Sequence, residues 1–278
     1  MSLAAKLPYD HPYAGGFSGI GSQPLPTDAD ALDYLSRVKA ADGAGVEVGV
    51  ATAVDAFIKA LKATPGLFDA IKASCILCGA RTITGALVPL AGPAPSAEGG
   101  WASGDYSRTT GLSGDGNALY LDSNYLDNAD GEDDNHRAAY HSTITLPGGV
   151  IGVRQDDGIT PFSGTHIYQQ QSNMLGRNRA VSFSTHSTNN NTASTFSGIS
   201  RQSSSEYTFR SYGTSDVVSQ NSDVSARAIN VRVFGRGHDL VQNLFDGSIA
   251  FYSIGASVDL EALDTAVSNL VTAIGNAL

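Results

Sequence analysis

Apolar side chains recur at helical spacing early in this chain and at every second position beyond residue 117. In "TDADALDYLSRVKAADG", Leu32, Leu35 and Val38 share one face, Thr27 or Asp28 caps it, and Gly43 stops it. A second helix turns Val50, Val54, Phe57, Ile58 and Leu61 inward and closes at Pro65-Gly66. A third, shorter helix is predicted in "LFDAIKASCILCG", with Leu67, Phe68, Ile71 and Cys75 facing in. These stripes predict core-facing helices, with a partner helix as the alternative.

After "ALVPLAGPAPSAEGG" the period changes to two. "NALYLDSN", "AAYHSTITL", "GVIGVRQ", "THIYQQQ", "AVSFSTHS", "YTFRSYG" and "INVRVFG" alternate between Gly/Asn/Asp turns, which predicts an antiparallel sandwich or barrel. Between Val181 and Ala226 about half the residues are Ser, Thr or Asn. Phe183, Phe196, Ile199, Tyr207 and Phe209 are the buried alternates there, which predicts one core face and one solvated hydroxyl and amide face. Ile249 to Ile254 is apolar on both faces and should be a central strand. It runs into a helix, about 258–275, whose stripe of Leu260, Leu263, Val267, Leu270, Val271 and Ile274 must be covered by the sandwich edge or the first helices. The chain thus divides into an extended arm (1–27), a helical block (28–90) and a β-sandwich with its closing helix (91–278).

Composition narrows the partners. A net charge of −10 disfavours nucleic acid and anionic membrane surfaces. No run of 18 apolar residues occurs, and the N-terminus lacks a charged segment followed by an apolar one, so neither membrane insertion nor an ordinary signal peptide is expected. Cys75 and Cys78 form C-x-x-C, but no second ligand pair accompanies them, and small buried residues are the better reading. The arm holds four prolines and four glycines. Its Tyr9, Tyr13, Phe17 and Ile20 cannot offset chain entropy of about 1–2 kcal/mol per residue unless another surface buries them. The arm therefore predicts assembly, with a homotrimer as the first choice.

Candidate chemistry is sparse. Glycoside hydrolysis needs two carboxyl groups about 5 Å or roughly 6.5–9.5 Å apart, and on strands they come at alternate positions. The five glutamates, Glu47, Glu98, Glu132, Glu206 and Glu261, form no such pattern, so no enzyme is expected. No G-x-S-x-G elbow occurs, and His136, His141, His166 and His186 read as polar surface residues. Asp127, Asp130, Glu132, Asp133 and Asp134 fall within "LDNADGEDDNH" and could supply several of the roughly six to eight oxygens that calcium takes. The D-x-D-x-D-G ladder is missing, so a hydrated loop or an arginine partner from a neighbouring subunit is the competing reading; no other cofactor is expected. For a glycan, the loop residues Trp101, Tyr106, Tyr125, Tyr168, Tyr212 and Asn190 offer aromatic faces and an amide, against the plainer reading of core or subunit interface.

Two segments together carry a resemblance. "AIKASCILCGARTITGALVPLAG" with "GDYSRTTGLSGDGNALYLDSN", and "INVRVFGRG" with "GSIAFYSIGASVDLEALDTAVSNLVTAIG", resemble a group of tailed-phage virion proteins from marine and freshwater phages. Their C-terminal part is similar to the concanavalin A-like lectin/laminin-G jelly roll. The resemblance implies a structural virion component made in the host cytoplasm. It implies a tail-associated fibre or receptor-binding protein with a lectin-like domain for host-surface glycan, or alternatively a capsid decoration (head fibre or cement) protein. Other virion proteins, reached through the arm, would be its partners.

Overall fold

Helical stripes organise the first part of the described chain. The structure is a computed structural model that describes residues 25–142, 147–155, 163–170, 173–187, 194–222, 225–237 and 241–278. Tyr9, Tyr13, Phe17, Ile20 and Asn190 lie outside the described residues. Helix α1 (Ala29–Asp42) begins where Asp28 accepts from the Asp30 and Ala31 amides at 3.0 and 3.3 Å, and ends at Gly43 with φ +73°. It buries Tyr34, Leu35 and Val38, with Leu32 only half-buried. Helix α2 (Val48–Ala63) buries all five predicted residues, and Phe57 meets Phe251 edge-on at 5.6 Å.

The third predicted helix is corrected. Only Leu67–Ala70 is helical (α3), and Ile71–Ile76 is strand β1. Ala73 and Cys75 face one apolar layer while Ile71 and Ile76 face another, so nearly every position is buried. A strand apolar on both faces mimics helical spacing, and pairing to the rest of the sheet decides its form. Strand therefore reaches into the segment 28–90 that was expected to be helical. Cys75 and Cys78 are buried free thiols, and burial pushes each pKa up to about 12.

A single turn, α4 (Ile83–Ala86), precedes short strands β2 (Pro89–Ala91), β3 (Ser96–Glu98), β4 (Tyr106–Ser107) and β5 (Gly111–Ser113). Longer strands follow: β6 (Tyr120–Leu126), β7 (Asn135–His141), β8 (Gly148–Gln155), β9 (Ser163–Gln170) and β10 (Asn173–Ala180). Next come β11 (Ser184–Ser187), β12 (Thr195–Arg201), β13 (Glu206–Ser211), β14 (Thr214–Ser219) and β15 (Asn230–Val233). The ribbon β16 (Arg236–Gly237) and β17 (Val241–Gln242) leads to β18 (Ser248–Gly255) and α5 (Leu260–Ala277).

Apart from the β16–β17 ribbon, the described strands form two antiparallel sheets. The first runs β14-β13-β12-β7-β18-β1-β2, with β5 and β4 attached at β18; the second runs β11-β10-β9-β8-β15-β6-β3. As expected, β18 is central, paired with β1 and β7. The sheets face each other across an apolar layer that includes Cys75, Phe209 and Tyr252 from the first and Ile151, Ile167 and Met174 from the second. Helices α1, α2 and α5 cover the other face of the first sheet through Ala138, Phe196, Ala250 and Phe251. The closing helix packs on both α2 and β12. Of the two predicted covers it uses the first helices, and in place of the sandwich edge it lies on the sheet face at the interior strand β12.

This third layer corrects the expected solvated face. Every residue of β12 is buried, because α5 lies on it, whereas β14 at the sheet edge is largely exposed. At Gly198 a Cβ would come within 2.7 Å of Leu260 Cδ2, so the helix sits where a side chain would otherwise stand. The histidine reading is corrected too, since His136, His141 and His166 are fully buried. Each finds hydrogen-bond partners inside, for example His136 Nε2 with Ser253 Oγ at 3.0 Å and His141 Nε2 with Ser197 Oγ at 2.9 Å. No helix of the described residues is long and apolar enough to cross a membrane.

Candidate functional site

Strand β8 reads "GGVIGVRQ", and glycines inside a strand commonly mark a close approach by another group. Gly149 lies opposite Tyr168 and Gly152 opposite His166 on β9. A Cβ at Gly152, where φ is +138°, would come within 2.4 Å of the His166 Cβ, and one at Gly149 would press on Arg236 Cγ at 3.0 Å. On the other side of β9, Arg177 of β10 stands opposite His166. Since Ile151 and Ile167 face the inter-sheet core, pleating puts His166, Tyr168 and Arg177 on the outer face of the second sheet. The glycines leave a trough there.

Arg236, delivered by β16, lies across that trough. Its guanidinium carbon is 3.7 Å from the centre of the Tyr168 ring, and its Nη1 donates to His166 Nε2 at 2.9 Å. His166 Nδ1 in turn donates to the Val153 carbonyl at 3.2 Å, which fixes a neutral tautomer. Arg177 stacks on Phe183, its guanidinium carbon 4.1 Å from the ring centre, and its Nη1 donates to the Val181 carbonyl at 3.0 Å. Phe183 also meets His166 edge-on at 5.4 Å.

The electrostatics are those of crowded cations. Burial, then the neighbouring charges of Arg236 and Arg154, pulls Arg177 down to about 9. Burial, with Arg154 adding to it, pulls Arg236 down to about 10. His166 is held well below its ordinary value by burial and then by Arg177 and Arg236. Arg236 makes no ion pair among the described residues, and its Nε is buried without a hydrogen-bond partner. Such an arrangement offers planar donors and aromatic faces to a ligand.

The acidic loop is built the opposite way. Asp127, fully buried, accepts from Arg137 Nη2 at 3.2 Å, from Arg179 Nη1 and from the Arg227 amide at 3.1 Å. Asp130 accepts from Arg137 Nη1 at 3.3 Å and from the Tyr125 hydroxyl at 2.8 Å. Asp134 takes the Ser257 amide at 2.7 Å, while Glu132 is exposed and Asp133 half-buried. The arginines come from the same chain rather than from a neighbour, and among the described residues no three acidic, histidine or cysteine groups are placed to hold a metal together.

The predicted glycan residues do not gather. Trp101 donates to the Tyr120 carbonyl at 3.2 Å and meets Phe234 edge-on at 5.2 Å, sealing the sandwich. The Tyr106 hydroxyl donates to the Ala80 carbonyl at 2.7 Å. Tyr125 is tied to Asp130, and half-buried Tyr212 packs against the inter-sheet core at the β13–β14 turn. Tyr168 alone of these joins the trough. The partners missed by the period-two reading are Arg154, His166, Arg177, Phe183 and Arg236; the signal for them was the glycine spacing of β8.

A second concavity, of about 550 Å³, opens beside the start of α5. Glu206, Asp259 and Glu261 line it with Ser203, Thr208 and Ser215. Asp259 is engaged in capping α5, accepting from the Glu261 and Ala262 amides at 2.9 and 3.1 Å. All three carboxylates are exposed.

No known protein family matches this chain, and no curated protein matches its sequence. Among solved structures it is similar to the binding domain of botulinum neurotoxin serotype D, at 12% identity and a TM-score of 0.50, over 75% of this chain and 52% of that one. A Trypanosoma rangeli sialidase mutant displaying trans-sialidase activity is similar at 8% identity and a TM-score of 0.52, over 81% of this chain and 38% of that one. A carbohydrate-binding module (CBM40) of the Ruminococcus gnavus IT-sialidase aligns at 14% identity and a TM-score of 0.38, over 48% and 82%. The chain spans about half of the toxin structure and less than that of the sialidase. At these identities the likeness is one of fold: a mainly β antiparallel sandwich with N-terminal helices and a C-terminal helix.

Proposed function

We propose that this chain is a non-enzymatic virion component of the tailed-phage type, tail-associated, whose sandwich binds a host-surface glycan through the outer face of the second sheet. The observation that carries the binding site is the pair of ring–guanidinium stacks, Tyr168 with Arg236 and Phe183 with Arg177. Sugars are held by aromatic faces and by planar hydrogen-bond donors, and both are held in place there by the glycine trough. The sandwich fold is shared with a domain named as the binding domain of a neurotoxin, which supports a binding role without fixing the ligand. The virion assignment is supported by the quoted sequence motifs. The exposed acids around the groove beside α5 favour binding without hydrolysis.

The test is retention of the purified protein on immobilised host-envelope glycans. Tyr168→Ala should lose most of that retention while keeping the circular dichroism of the parent. Absence of retention by the parent protein would overturn the reading, as would cleavage of the bound glycan.

A further inference from the structure

The hairpin of β13 and β14 turns through two residues, Tyr212 and Gly213, with φ +52° and +74°. Its register runs unbroken from the Ser211–Thr214 pair to the Glu206–Ser219 pair. A two-residue turn makes Ser211–Thr214 a hydrogen-bonded pair, and alternation makes Phe209–Asp216 and Tyr207–Val218 the next two. The N–H and C=O groups of Ser215, Val217 and Ser219 therefore point away from β13. Strand β14 ends the first sheet, so no described strand takes these groups up. Val217 is 65% exposed, and the strand has none of the lysine, proline or bulge that commonly blunts an edge.

A groove lies beside this edge on one face. Tyr207 and Phe209 face the inter-sheet core, so their partners Val218 and Asp216 share that side. Ser215, Val217 and Ser219 are turned to the other side, where α5 lies. There the groove of about 550 Å³ is lined by Glu206 and Thr208 of β13, Ser215 of β14 and Glu261 of α5. Its lining includes no lysine or arginine. Nearby Arg210, which donates to Ser215 Oγ at 2.9 Å, is already paired with Asp264. Asp259 is spent on capping α5, which leaves the exposed carboxylates of Glu206 and Glu261.

We propose that β14 takes up an extended, basic segment of another protein as an added antiparallel strand, whose alternate lysine or arginine side chains reach into the groove at Glu206 and Glu261. Main-chain bonds to Ser215, Val217 and Ser219 hold the segment, and the carboxylates select its charge. A second copy of this chain fits less well, because it brings a net charge of −10 to a carboxylate-lined face. The site belongs to the first sheet and does not rest on the glycan reading.

The experiment uses the full chain and a ten-residue peptide alternating lysine with threonine, with binding read by calorimetry. A glutamate–threonine peptide is the charge control. Two further versions of the lysine peptide carry backbone N-methyl groups, one on its lysines and the other on its threonines. In an antiparallel added strand the lysine N–H groups face β14 and the threonine N–H groups face solvent. Methylation of the lysines should weaken binding at least about tenfold, and methylation of the threonines should leave it nearly unchanged. Val217→Pro removes one outward N–H without touching a bond to β13, and should weaken the unmethylated peptide's binding. Glu206→Gln combined with Glu261→Gln should erase the preference for lysine over glutamate. Equal binding of the two methylated peptides overturns strand addition, and equal binding of the lysine and glutamate peptides overturns the basic partner. Failure of every peptide to bind overturns both. Self-association of the parent protein that Val217→Pro abolishes would assign the edge to a second copy and overturn the proposal.

Discussion

Two buried arginine assemblies lie in this sandwich, and they are built on opposite principles. Around Asp127, Arg137 of the first sheet and Arg179 of the second converge on one carboxylate, so the loop after β6 clamps the two sheets together. On the outer face of the second sheet, Arg177 and Arg236 lie on aromatic rings; burial lowers the proton affinity of both, with Arg236 and Arg154 adding to it at Arg177 and Arg154 adding to it at Arg236. The first assembly closes its own electrostatics and so serves the fold. The second lays its guanidiniums on aromatic rings at the outer face of the second sheet, so ring stacking there takes the place that a shared carboxylate has in the first.

The largest effect should come from the clamp. Asp127→Ala leaves the buried Arg179 without its carboxylate and Arg137 with Asp130 alone, and should cost about 3–5 kcal/mol, read as a lower denaturant midpoint. A loss under about 1 kcal/mol would show that the two assemblies are energetically alike. Next comes the trough. Gly152→Ala places a methyl against His166 in a backbone region that disfavours side chains, and should destabilise by about 1–3 kcal/mol while also weakening glycan binding. Destabilisation with full binding would detach the trough from the site.

A smaller effect is the response to acid. Burial holds His166 well below its ordinary value, and His136 and His141 at about 4, so the folded state binds fewer protons than the unfolded state. Their contribution is complete above about pH 6.5 and is lost as pH falls below it, at up to roughly 1.4 kcal/mol per pH unit per histidine. Among the described residues the charged groups facing His166 are Arg177, Arg236 and Arg154, and each disfavours a proton there. His166→Asn should flatten the stability–pH profile between about pH 6.5 and 5, and an unchanged profile would contradict the assignment.

Much of the architecture was legible in residue spacing, and the reasons for the gaps are physical. Helices α1, α2 and α5 announce themselves because each has one buried face. Strand β1 does not, because helices cover one side of it and the second sheet the other, and an unbroken apolar run fits either period. Strands β10 ("NMLGRNRA") and β12 ("TFSGISR") were hidden differently, since their buried positions include Arg177, Arg179, Ser197 and Arg201. Alternation of hydrophobicity cannot reveal a strand whose buried side chains are polar. The same blindness applied to the site: aromatic residues could be picked from loops, but Trp101, Tyr106 and Tyr125 are committed to structural hydrogen bonds. Only pairing across β8, β9 and β10 brings Tyr168 to the arginines.

The most direct test of the contrast between the two assemblies is urea unfolding of Arg236→Met, measured beside the parent protein and paired with its affinity for the immobilised host-envelope glycans. Relief of repulsion should offset the lost stack on Tyr168, so stability should change by less than about 1 kcal/mol while affinity falls at least tenfold. A fall in stability comparable to that of Asp127→Ala, with affinity retained, would make Arg236 another structural arginine and contradict the account.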